Sequence, residues 1–266
     1  MVRTTPENNL KDLNTRPQLI KAHFTFFAEL NDFLPHYRKN SSFSIEFEDH
    51  QTVKHLIESL GIPHTEIGRI LIDGRPADFS SRLQEGDQVA VYPADSPLPV
   101  EPCFVLDNHL GQLATYLRML GFDTLYRNDY QDEELTQVAN EGGRVLLTRD
   151  RRLLMRKVIT LGYCLHQTDP RQQAIEVLRR FNLFEQVHPF RRCLRCNAPL
   201  QPVSKQAVLD RLEPLTKLYY DEFHLCPSCN QVYWKGSHFQ RMQGMITEMA
   251  HQPLPTPKKE GTDEHP

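Results

Sequence analysis

The sequence predicts an α/β protein in three parts: a small mixed-sheet domain, a parallel-sheet domain and a short cysteine-rich segment. Residues 19–94 show strand and helix patterns in the order strand, strand, helix, strand, strand. Residues 103–187 alternate short apolar strands with amphipathic helices. Residues 188–245 hold two C-x-x-C pairs in a segment too short to build a large apolar core. These three patterns predict the division of the chain.

Length and composition are those of an ordinary globular protein. The chain has 266 residues, of which 39% are hydrophobic and 24% charged, and this length suits two or three compact units. No apolar run reaches the roughly 18 residues of a membrane helix, and the N-terminal segment lacks the apolar core of a signal peptide. We therefore expect a soluble, cytoplasmic protein with no membrane association.

Charge is distributed unevenly along the chain, although its net value is only -3. Residues 19–98 carry 7 Lys and Arg against 12 Asp and Glu, whereas residues 191–245 carry 8 against 4. Phosphate contacts need local positive charge, which the C-terminal part offers. An ordinary solvated surface explains the imbalance equally well.

Three segments are rich in proline or polar residues and have little to bury. We predict a disordered lead over residues 1–18 and a disordered tail over residues 246–266. The sequence ADSPLPVEP at residues 94–102 predicts a stiff, extended connector.

The order of elements in residues 19–94 is that of a β-grasp fold. Alternating strands are predicted at KAHFTFF and FSIEFE, followed by a helix with Thr52 as N-cap and Gly61 at its end. Asp73-Gly74 predicts a hairpin turn before the last strand, QVAVYPA.

This segment resembles the ubiquitin-like sulfur carriers, which end in a free Gly-Gly. Here the matching residues 91–95 read VYPAD and the chain continues. We therefore expect a binding or regulatory role with a protein partner, and no carrier chemistry.

Residues 103–187 predict a parallel sheet covered by helices on both faces, because their strands are apolar on both sides. The predicted strands are Phe104–Asp107, Thr124–Arg127, Arg144–Thr148 and Gly162–His166. The predicted helices cover residues 110–120, 132–140, 153–161 and 171–181. Right-handed crossovers bring the carboxyl ends of such strands to one edge, where α/β sheets bind ligands.

Carboxylates are predicted at that edge. Asp107 and Asp150 follow buried strands, and Asp132 begins a helix, where it also suits an N-cap. Converging carboxylates repel one another unless a cation lies among them, and hard oxygen ligands select Mg²⁺ or Mn²⁺. Such an ion can activate water for phosphodiester hydrolysis. The alternative is that each aspartate only caps a helix.

Two arginines are candidates to bind the scissile phosphate. Arg149 precedes Asp150, and Arg118 lies on the first helix of the parallel-sheet domain. A guanidinium group binds phosphate through two parallel hydrogen bonds. The alternative for each is a surface charge or an ion pair.

Two C-x-x-C pairs predict a structural zinc site. Cys193, Cys196, Cys226 and Cys229 supply four thiolates, which suit a closed tetrahedral Zn²⁺ centre. The spacer of 29 residues between the pairs exceeds the usual length, so we expect a loop or a small hairpin there. A redox dithiol is the alternative.

Aromatic and basic residues follow the second cysteine pair in VYWKGSHFQRM. Lys235 and Arg241 are candidates to hold RNA phosphates, and Tyr233 or Trp234 could stack on a base. Packing of Trp234 against the zinc turn is the alternative.

Several runs together resemble one family. FVLDNHLGQLATYLRMLGFDT, RVLLTRDRRLL, RCLRCN and CPSCNQVYWKGSH closely resemble the PIN-like RNase domain named after the C-terminal region of the mutator exonuclease mut-seven. Bacterial members often carry an N-terminal ubiquitin-like domain, as residues 19–94 suggest. The resemblance implies a PIN-like nuclease core, metal-dependent RNA hydrolysis and a C-terminal zinc ribbon. It assigns the acidic positions to Asp107, Asp132 and Asp150.

We therefore expect a metal-dependent ribonuclease in which Asp107 and Asp150 hold Mg²⁺ or Mn²⁺ and Asp132 is a third or water-mediated ligand. The zinc ribbon is expected to grip single-stranded RNA. The first alternative is a non-catalytic RNA-binding or adaptor protein on a PIN-like scaffold, and the second is a toxin.

Overall fold

The computed structural model describes residues 18–94, 98 and 101–251. Most of the predicted lead and connector, and residues 252–266 of the predicted tail, lie outside the described residues. Residues 246–251 were also assigned to the tail, but they belong to a helix that spans Ser237–His251. The chain divides into two compact units, which are described in turn.

The first unit contains a five-stranded mixed sheet. Its strands are β1 (Leu19–Phe26), β2 (Phe43–Glu48), β3 (Ile67–Ile72), β4 (Arg75–Ala77) and β5 (Gln88–Pro93). They lie in the order β2-β1-β5-β3-β4, and β1 and β5 are parallel while the other neighbours are antiparallel. Helix α1 (Val53–Ser59) connects β2 to β3. The β-grasp order is confirmed, with β4 as an additional short strand.

Local signals in this unit act as the sequence predicts. The Thr52 side chain accepts a hydrogen bond from the His55 backbone N–H at 3.3 Å and caps α1. Gly61 follows the helix with a φ of 85°. Asp73 and Gly74 have φ values of 49° and 76°, as the two-residue turn between β3 and β4 requires.

A segment from the middle of the chain, Asp150–Lys157, also belongs to the first unit. It contains helix α4 (Arg151–Leu154), which is shorter than the helix predicted over residues 153–161. The prediction was wrong because the apolar periodicity is not matched by burial: Val158 and Leu161 are 53% and 40% exposed.

The second unit contains a four-stranded parallel sheet. Its strands are β6 (Cys103–Leu106), β7 (Asp123–Tyr126), β8 (Val145–Thr148) and β9 (Gly162–Cys164), in the order β7-β6-β8-β9. Helices α2 (Gly111–Met119), α3 (Asp132–Glu141) and α5 (Pro170–Arg180) alternate with them. The sheet and the helices share one apolar core that includes Phe104, Leu117 and Leu178. The predicted parallel sheet is confirmed.

The same unit contains the cysteine-rich segment. Strands β10 (Gln201–Val203), β11 (Phe223–Leu225) and β12 (Val232–Trp234) form an antiparallel sheet. The long spacer between the cysteine pairs holds two short helices, α6 (Lys205–Val208) and α7 (Pro214–Tyr219), in addition to strands. Helix α8 (Ser237–His251) follows β12. No helix in the described part of the chain is both long enough and apolar enough to span a bilayer.

Gly121 marks the place where the chain entering the cysteine-rich segment passes the end of α2. Its φ is 100°, and a Cβ at this position would lie 2.1 Å from the His188 carbonyl oxygen. The His188 backbone N–H donates to the Leu120 carbonyl at 2.9 Å. Glycine is therefore required here by close packing as well as by the end of the helix.

Candidate functional site

The carboxyl edge of the parallel sheet holds the carboxylate of Asp107 in a fixed place. Its carboxylate accepts a hydrogen bond from the Thr148 hydroxyl at 2.6 Å and from the Asn108 backbone N–H at 2.7 Å. The Asp107 backbone N–H donates to the Leu147 carbonyl at 3.1 Å. Because Thr148 ends the neighbouring strand β8, these contacts tie Asp107 to two strands at once.

The loop after Asp107 is held from the other side by β7. The Tyr126 hydroxyl donates to the Asn108 carbonyl at 2.8 Å. A Cβ on Gly111, where α2 begins, would lie 2.8 Å from the Tyr126 hydroxyl oxygen. The glycine therefore leaves room for the tyrosine that fixes this loop.

A pocket lies at the same edge of the sheet. Its walls come from the loop after β6, the start of α2, the residue after β8 and the start of α5. The polar residues that line it are His109, Gln112, Arg149, Thr168 and Gln173. Arg149 is exposed, so its guanidinium can take an anion.

Asp132 and Asp150 occupy helix starts, as predicted, but in different roles. Asp132 is the first residue of α3, whose N-cap is Gln131, so the predicted capping role of Asp132 is wrong. Asp150 is the N-cap of α4 and accepts from the Arg152 backbone N–H at 2.8 Å. Both aspartates are exposed.

The four cysteines lie close enough together to hold one metal ion. Within the described residues, the one group of three or more His, Cys, Asp or Glu whose ligand atoms lie within 4.8 Å of one another is the four cysteines. Asp107 and Asp132 belong to the second compact unit and Asp150 to the first, so their convergence on one ion stays a prediction.

The prediction that Arg118 binds the phosphate does not fit its position. Arg118 is only 5% exposed. Its guanidinium donates to the Thr124 carbonyl at 3.0 Å and to the carbonyls of Leu194 and Arg195 at 3.1 and 3.0 Å. Burial lowers the pKa of Arg118, and the neighbouring cysteine sulfurs oppose this effect. Arg118 therefore ties α2 to the first cysteine turn.

Asp123 makes a second link between the parallel sheet and the cysteine-rich segment. Its carboxylate accepts from Arg144 at 2.7 Å and from the Asn197 side-chain amide at 2.9 Å, and Arg192 lies 3.2 Å away. The side-chain Oδ1 of Asn197 in turn accepts from the Thr124 backbone N–H at 2.9 Å. Burial raises the pKa of Asp123, but the hydrogen bonds from Arg144 and Asn197 outweigh it and lower the pKa overall.

Replacing Asp123 by asparagine is expected to destabilise the second unit by about 1–3 kcal/mol at neutral pH, since two arginines lose their charged partner. Because the folded-state pKa is lowered, this contribution is present above the unfolded pKa and is lost as the pH falls through the folded value. The gap in melting temperature between wild type and Asp123→Asn should therefore be constant near neutral pH and shrink below roughly pH 4. Asp221→Asn, at an exposed surface ion pair with Lys205, is the control. A gap that widened on acidification would contradict this assignment.

The four cysteine sulfurs are arranged as a zinc site requires. The Sγ atoms of Cys193 and Cys229 are 3.5 Å apart, and those of Cys196 and Cys226 are 3.3 Å apart. Four sulfurs at the usual zinc–sulfur distance lie about 3.8 Å from one another. The cluster therefore suits a closed, structural Zn²⁺ centre.

Each cysteine turn ends in an asparagine in the left-handed conformation. Asn197 and Asn230 have φ values of 67° and 56°. Their backbone N–H groups donate to the carbonyls of Cys193 and Cys226, each at 2.9 Å. Asparagine tolerates this conformation, which explains why the sequence reads C-x-x-C-N twice.

The sulfurs differ in their tendency to ionise. Burial raises the pKa of Cys196 to about 12 and also raises the pKa of Cys229. Burial acts to raise the pKa of Cys193 as well, but hydrogen bonds from the Tyr233 hydroxyl and from backbone N–H groups outweigh it and lower the pKa to about 6. A divalent cation favours the thiolate at every ligand position.

The aromatic and basic residues after the second pair have mixed roles. The Tyr233 hydroxyl lies 3.2 Å from Cys193 Sγ and accepts from the Leu194 backbone N–H at 3.1 Å, so Tyr233 supports the cysteine cluster. Trp234 packs against Phe223 in the small core of this segment.

The two predicted phosphate-binding residues, Lys235 and Arg241, are exposed. The Lys235 ammonium group forms an ion pair with Glu222.

Sequence reasoning missed Glu176 on α5. Its carboxylate accepts from the Tyr163 hydroxyl at 3.0 Å, from the backbone N–H groups of His166 and Gln167 at 2.8 and 3.0 Å, and from the His166 ring at 3.1 Å. Burial raises its pKa, but these hydrogen bonds outweigh it and lower the pKa. Glu176 thus anchors the segment that leads from β9 to Thr168 in the pocket. A glutamate on a helical face gives no sequence signal for this role.

Two protein-family models match this chain. Residues 102–246, more than half of the chain, match the model described as the Mut7-C RNAse domain. The chain belongs to the Mut7-C RNase domain family. Residues 19–98 match the model described as Mut7-C ubiquitin. The Mut7-C RNase match runs across both the parallel sheet and the cysteine-rich segment, which form one compact unit. The predicted family and architecture are confirmed.

Two solved structures are similar to part of this Mut7-C RNase domain protein. A putative molybdopterin converting factor, subunit 1, from Pyrococcus furiosus is 20% identical, with a TM-score of 0.24, over 28% of this chain and 97% of the other. The solution structure of the Haloferax volcanii HVO 2177 protein is 20% identical, with a TM-score of 0.25, over 35% of this chain and 98% of the other. A search of curated proteins found no match.

Proposed function

We propose that this protein is a metal-dependent ribonuclease that hydrolyses RNA phosphodiester bonds at the carboxyl edge of its parallel sheet. The observation that carries the proposal is the carboxylate of Asp107, fixed by Thr148 at the edge where Arg149 lines a pocket. Membership of an RNase domain family supplies the substrate class.

In this proposal Asp107 and Asp150 hold Mg²⁺ or Mn²⁺, and Asp132 acts as a third or water-mediated ligand. The two hydrogen bonds to Asp107 go to different carboxylate oxygens, so each oxygen keeps a lone pair for an ion. When bound, such an ion supplies an activated water and stabilises the leaving oxygen. Arg149 orients the scissile phosphate through its guanidinium group.

The cysteine-rich segment assists RNA binding in this proposal. Lys235 and Arg241 contact phosphates of the backbone. Beside them, a groove is lined by the aromatic residues Phe190, Tyr233, Trp234 and Phe239. Splayed bases of single-stranded RNA stack on such rings. Thiolate ligands in place of disulfides suit the reducing cytoplasm, where we place the protein.

RNA cleavage in the presence of Mn²⁺ tests the proposal. Wild type should cleave single-stranded RNA only when divalent metal is added. Asp150→Asn should slow cleavage by about 100-fold, and Asp132→Asn by about tenfold, because the second is the less direct ligand. Asp129→Asn, which changes an exposed aspartate paired with Arg127, should leave the rate unchanged. Full activity in Asp150→Asn would remove the proposal.

A non-catalytic RNA-binding or adaptor protein is the second candidate. The ubiquitin-like domain would then recruit a protein partner. RNA binding that is independent of divalent metal, without cleavage of any RNA, would support this second function.

A further inference from the structure

The first compact unit contains a segment that lies outside its β-grasp sheet in the sequence. The β-grasp sheet is complete with β5, yet Asp150–Lys157 belongs to the same unit. The first residue of this segment is the proposed metal ligand Asp150. The ubiquitin-like unit therefore includes a residue that the proposed function assigns to catalysis.

Arg151 in this segment contacts Phe33, a residue of the β-grasp part of the unit. Its guanidinium carbon lies 4.8 Å from the centre of the Phe33 ring, and its Nη1 donates to the Phe33 carbonyl at 3.2 Å. A Cβ at Gly61 would lie 3.6 Å from the same Nη1. One side chain thus engages both the ring and the backbone of Phe33.

The short 3-10 helix that ends at Phe33, Ala28–Phe33, is fixed by a buried asparagine. Asn31, which is 6% exposed, donates from its side-chain amide to the carbonyls of Phe26 and Ala28 at 2.8 and 3.1 Å. Its side-chain oxygen accepts from the Asn40 backbone N–H at 2.7 Å. The backbone around Phe33 is therefore fixed where Phe33 contacts Arg151.

The Asp150 carboxylate lies directly before Arg151, at the start of α4. Asp150 caps α4, and its Oδ1 accepts from the Arg152 backbone N–H at 2.8 Å. Helix α4 has only four residues, so it has little intrinsic stability and depends on tertiary contacts.

We propose that the ubiquitin-like domain positions Asp150 for catalysis, with Phe33 and Arg151 as the positioning residues. This inference rests on the proposed ribonuclease function. Neither residue is assigned to contact RNA or the ion.

Kinetics of Arg151→Gln in the full-length chain test this role. The kcat for RNA cleavage should fall roughly tenfold, as when a residue that orients a metal ligand is removed. The Mn²⁺ concentration for half-maximal rate should rise, while RNA binding measured without divalent metal should stay unchanged. Arg152→Gln removes the same charge from the neighbouring residue and is the matched control.

A double-mutant cycle separates a shared contact from two independent effects. Phe33→Leu keeps an apolar side chain but removes the ring, and Phe33→Leu combined with Arg151→Gln should be no worse than Arg151→Gln alone. Additive losses, or equal kinetics for Arg151→Gln and Arg152→Gln, would overturn the proposal.

Hydrogen exchange gives a readout that does not need activity. The backbone N–H of Met155 donates to the Arg151 carbonyl at 3.2 Å, so its exchange should accelerate in Phe33→Leu and in Arg151→Gln. Unchanged exchange at the Met155 backbone N–H would overturn the proposed contact between Phe33 and Arg151, even if RNA is cleaved. Accelerated exchange in a chain that never cleaves RNA would retain the contact but remove its catalytic role, together with the proposed function.

Discussion

Replacing Cys226 by serine is expected to abolish zinc binding and to unfold the cysteine-rich segment. Cys226 is fully buried, and its sulfur belongs to the cluster of four. Among the residues whose side chains the structure describes, the apolar core of this segment has four buried members, Val208, Leu212, Phe223 and Val232. A structural zinc ion contributes roughly 10–16 kcal/mol of apparent binding free energy in small domains, and that free energy supports the fold.

The damage should extend beyond the zinc site. The carbonyls of Leu194 and Arg195 accept hydrogen bonds from the buried Arg118 guanidinium. Once the turn is lost, the guanidinium loses these hydrogen bonds, and a hydrogen bond to a charged group typically contributes about 1.5–3 kcal/mol. We therefore expect the melting temperature of the second unit to fall by roughly 10 °C.

Metal analysis and thermal unfolding check this expectation. Wild type should hold one zinc ion per chain, and Cys226→Ser well below one. Cys103→Ser is the control, because Cys103 lies outside the cluster of four. A full zinc content and an unchanged melting temperature in Cys226→Ser would show that the cluster does not hold a structural ion.

Asp107→Asn is expected to reduce RNA cleavage by at least about 100-fold, which corresponds to about 2.7 kcal/mol of transition-state stabilisation. The amide oxygen can accept from the Asn108 backbone N–H while the amide nitrogen donates to the Thr148 hydroxyl oxygen, so the loop should keep its conformation. The negative charge that holds a divalent ion is lost. Activity should fall, while the free energy of unfolding should change by less than about 1 kcal/mol.

Thr148→Val provides a graded comparison at the same place. The valine has a similar shape but cannot donate the 2.6 Å hydrogen bond to Asp107. The charge remains, so the expected loss is smaller, roughly tenfold. Single-turnover cleavage rates at saturating Mn²⁺ measure both variants. Equal losses in the two would show that the contact to Thr148, and not the charge, determines activity.

Much of the fold could be predicted from local patterns. Strict alternation in FSIEFE, the capping Thr52 and the Asp73-Gly74 turn each specify one geometry, and the structure has all three. The parallel strands follow from short runs that are apolar on both faces. The cysteine cluster follows from spacing alone, because two C-x-x-C turns suit one tetrahedral ion.

Tertiary contacts explain what could not be predicted. Arg118 has the sequence context of an exposed helical arginine, but the returning cysteine turn buries it and uses its donors. The role of Arg151 depends on Phe33, which is distant in sequence and close in space. No periodicity or motif encodes such a pairing.

The position of the three aspartates depends on tertiary structure in the same way. Asp107 is fixed by Thr148 at the end of the neighbouring strand, as the parallel topology predicts. Asp132 and Asp150 start helices and are exposed, and side-chain directions at such positions are not set by the sequence pattern. Their part in a metal site stays a prediction.

Sulfur substitution at the cleaved phosphate tests the central claim most directly. An RNA with one non-bridging oxygen of that phosphate replaced by sulfur binds Mg²⁺ poorly, because a hard cation prefers oxygen, whereas softer metals accept sulfur. We predict that wild type cleaves this RNA slowly in Mg²⁺, that Mn²⁺ restores the rate, and that Asp107→Asn shows no such rescue. Cleavage at equal rates in both metals, or without divalent metal, would contradict a catalytic ion at Asp107.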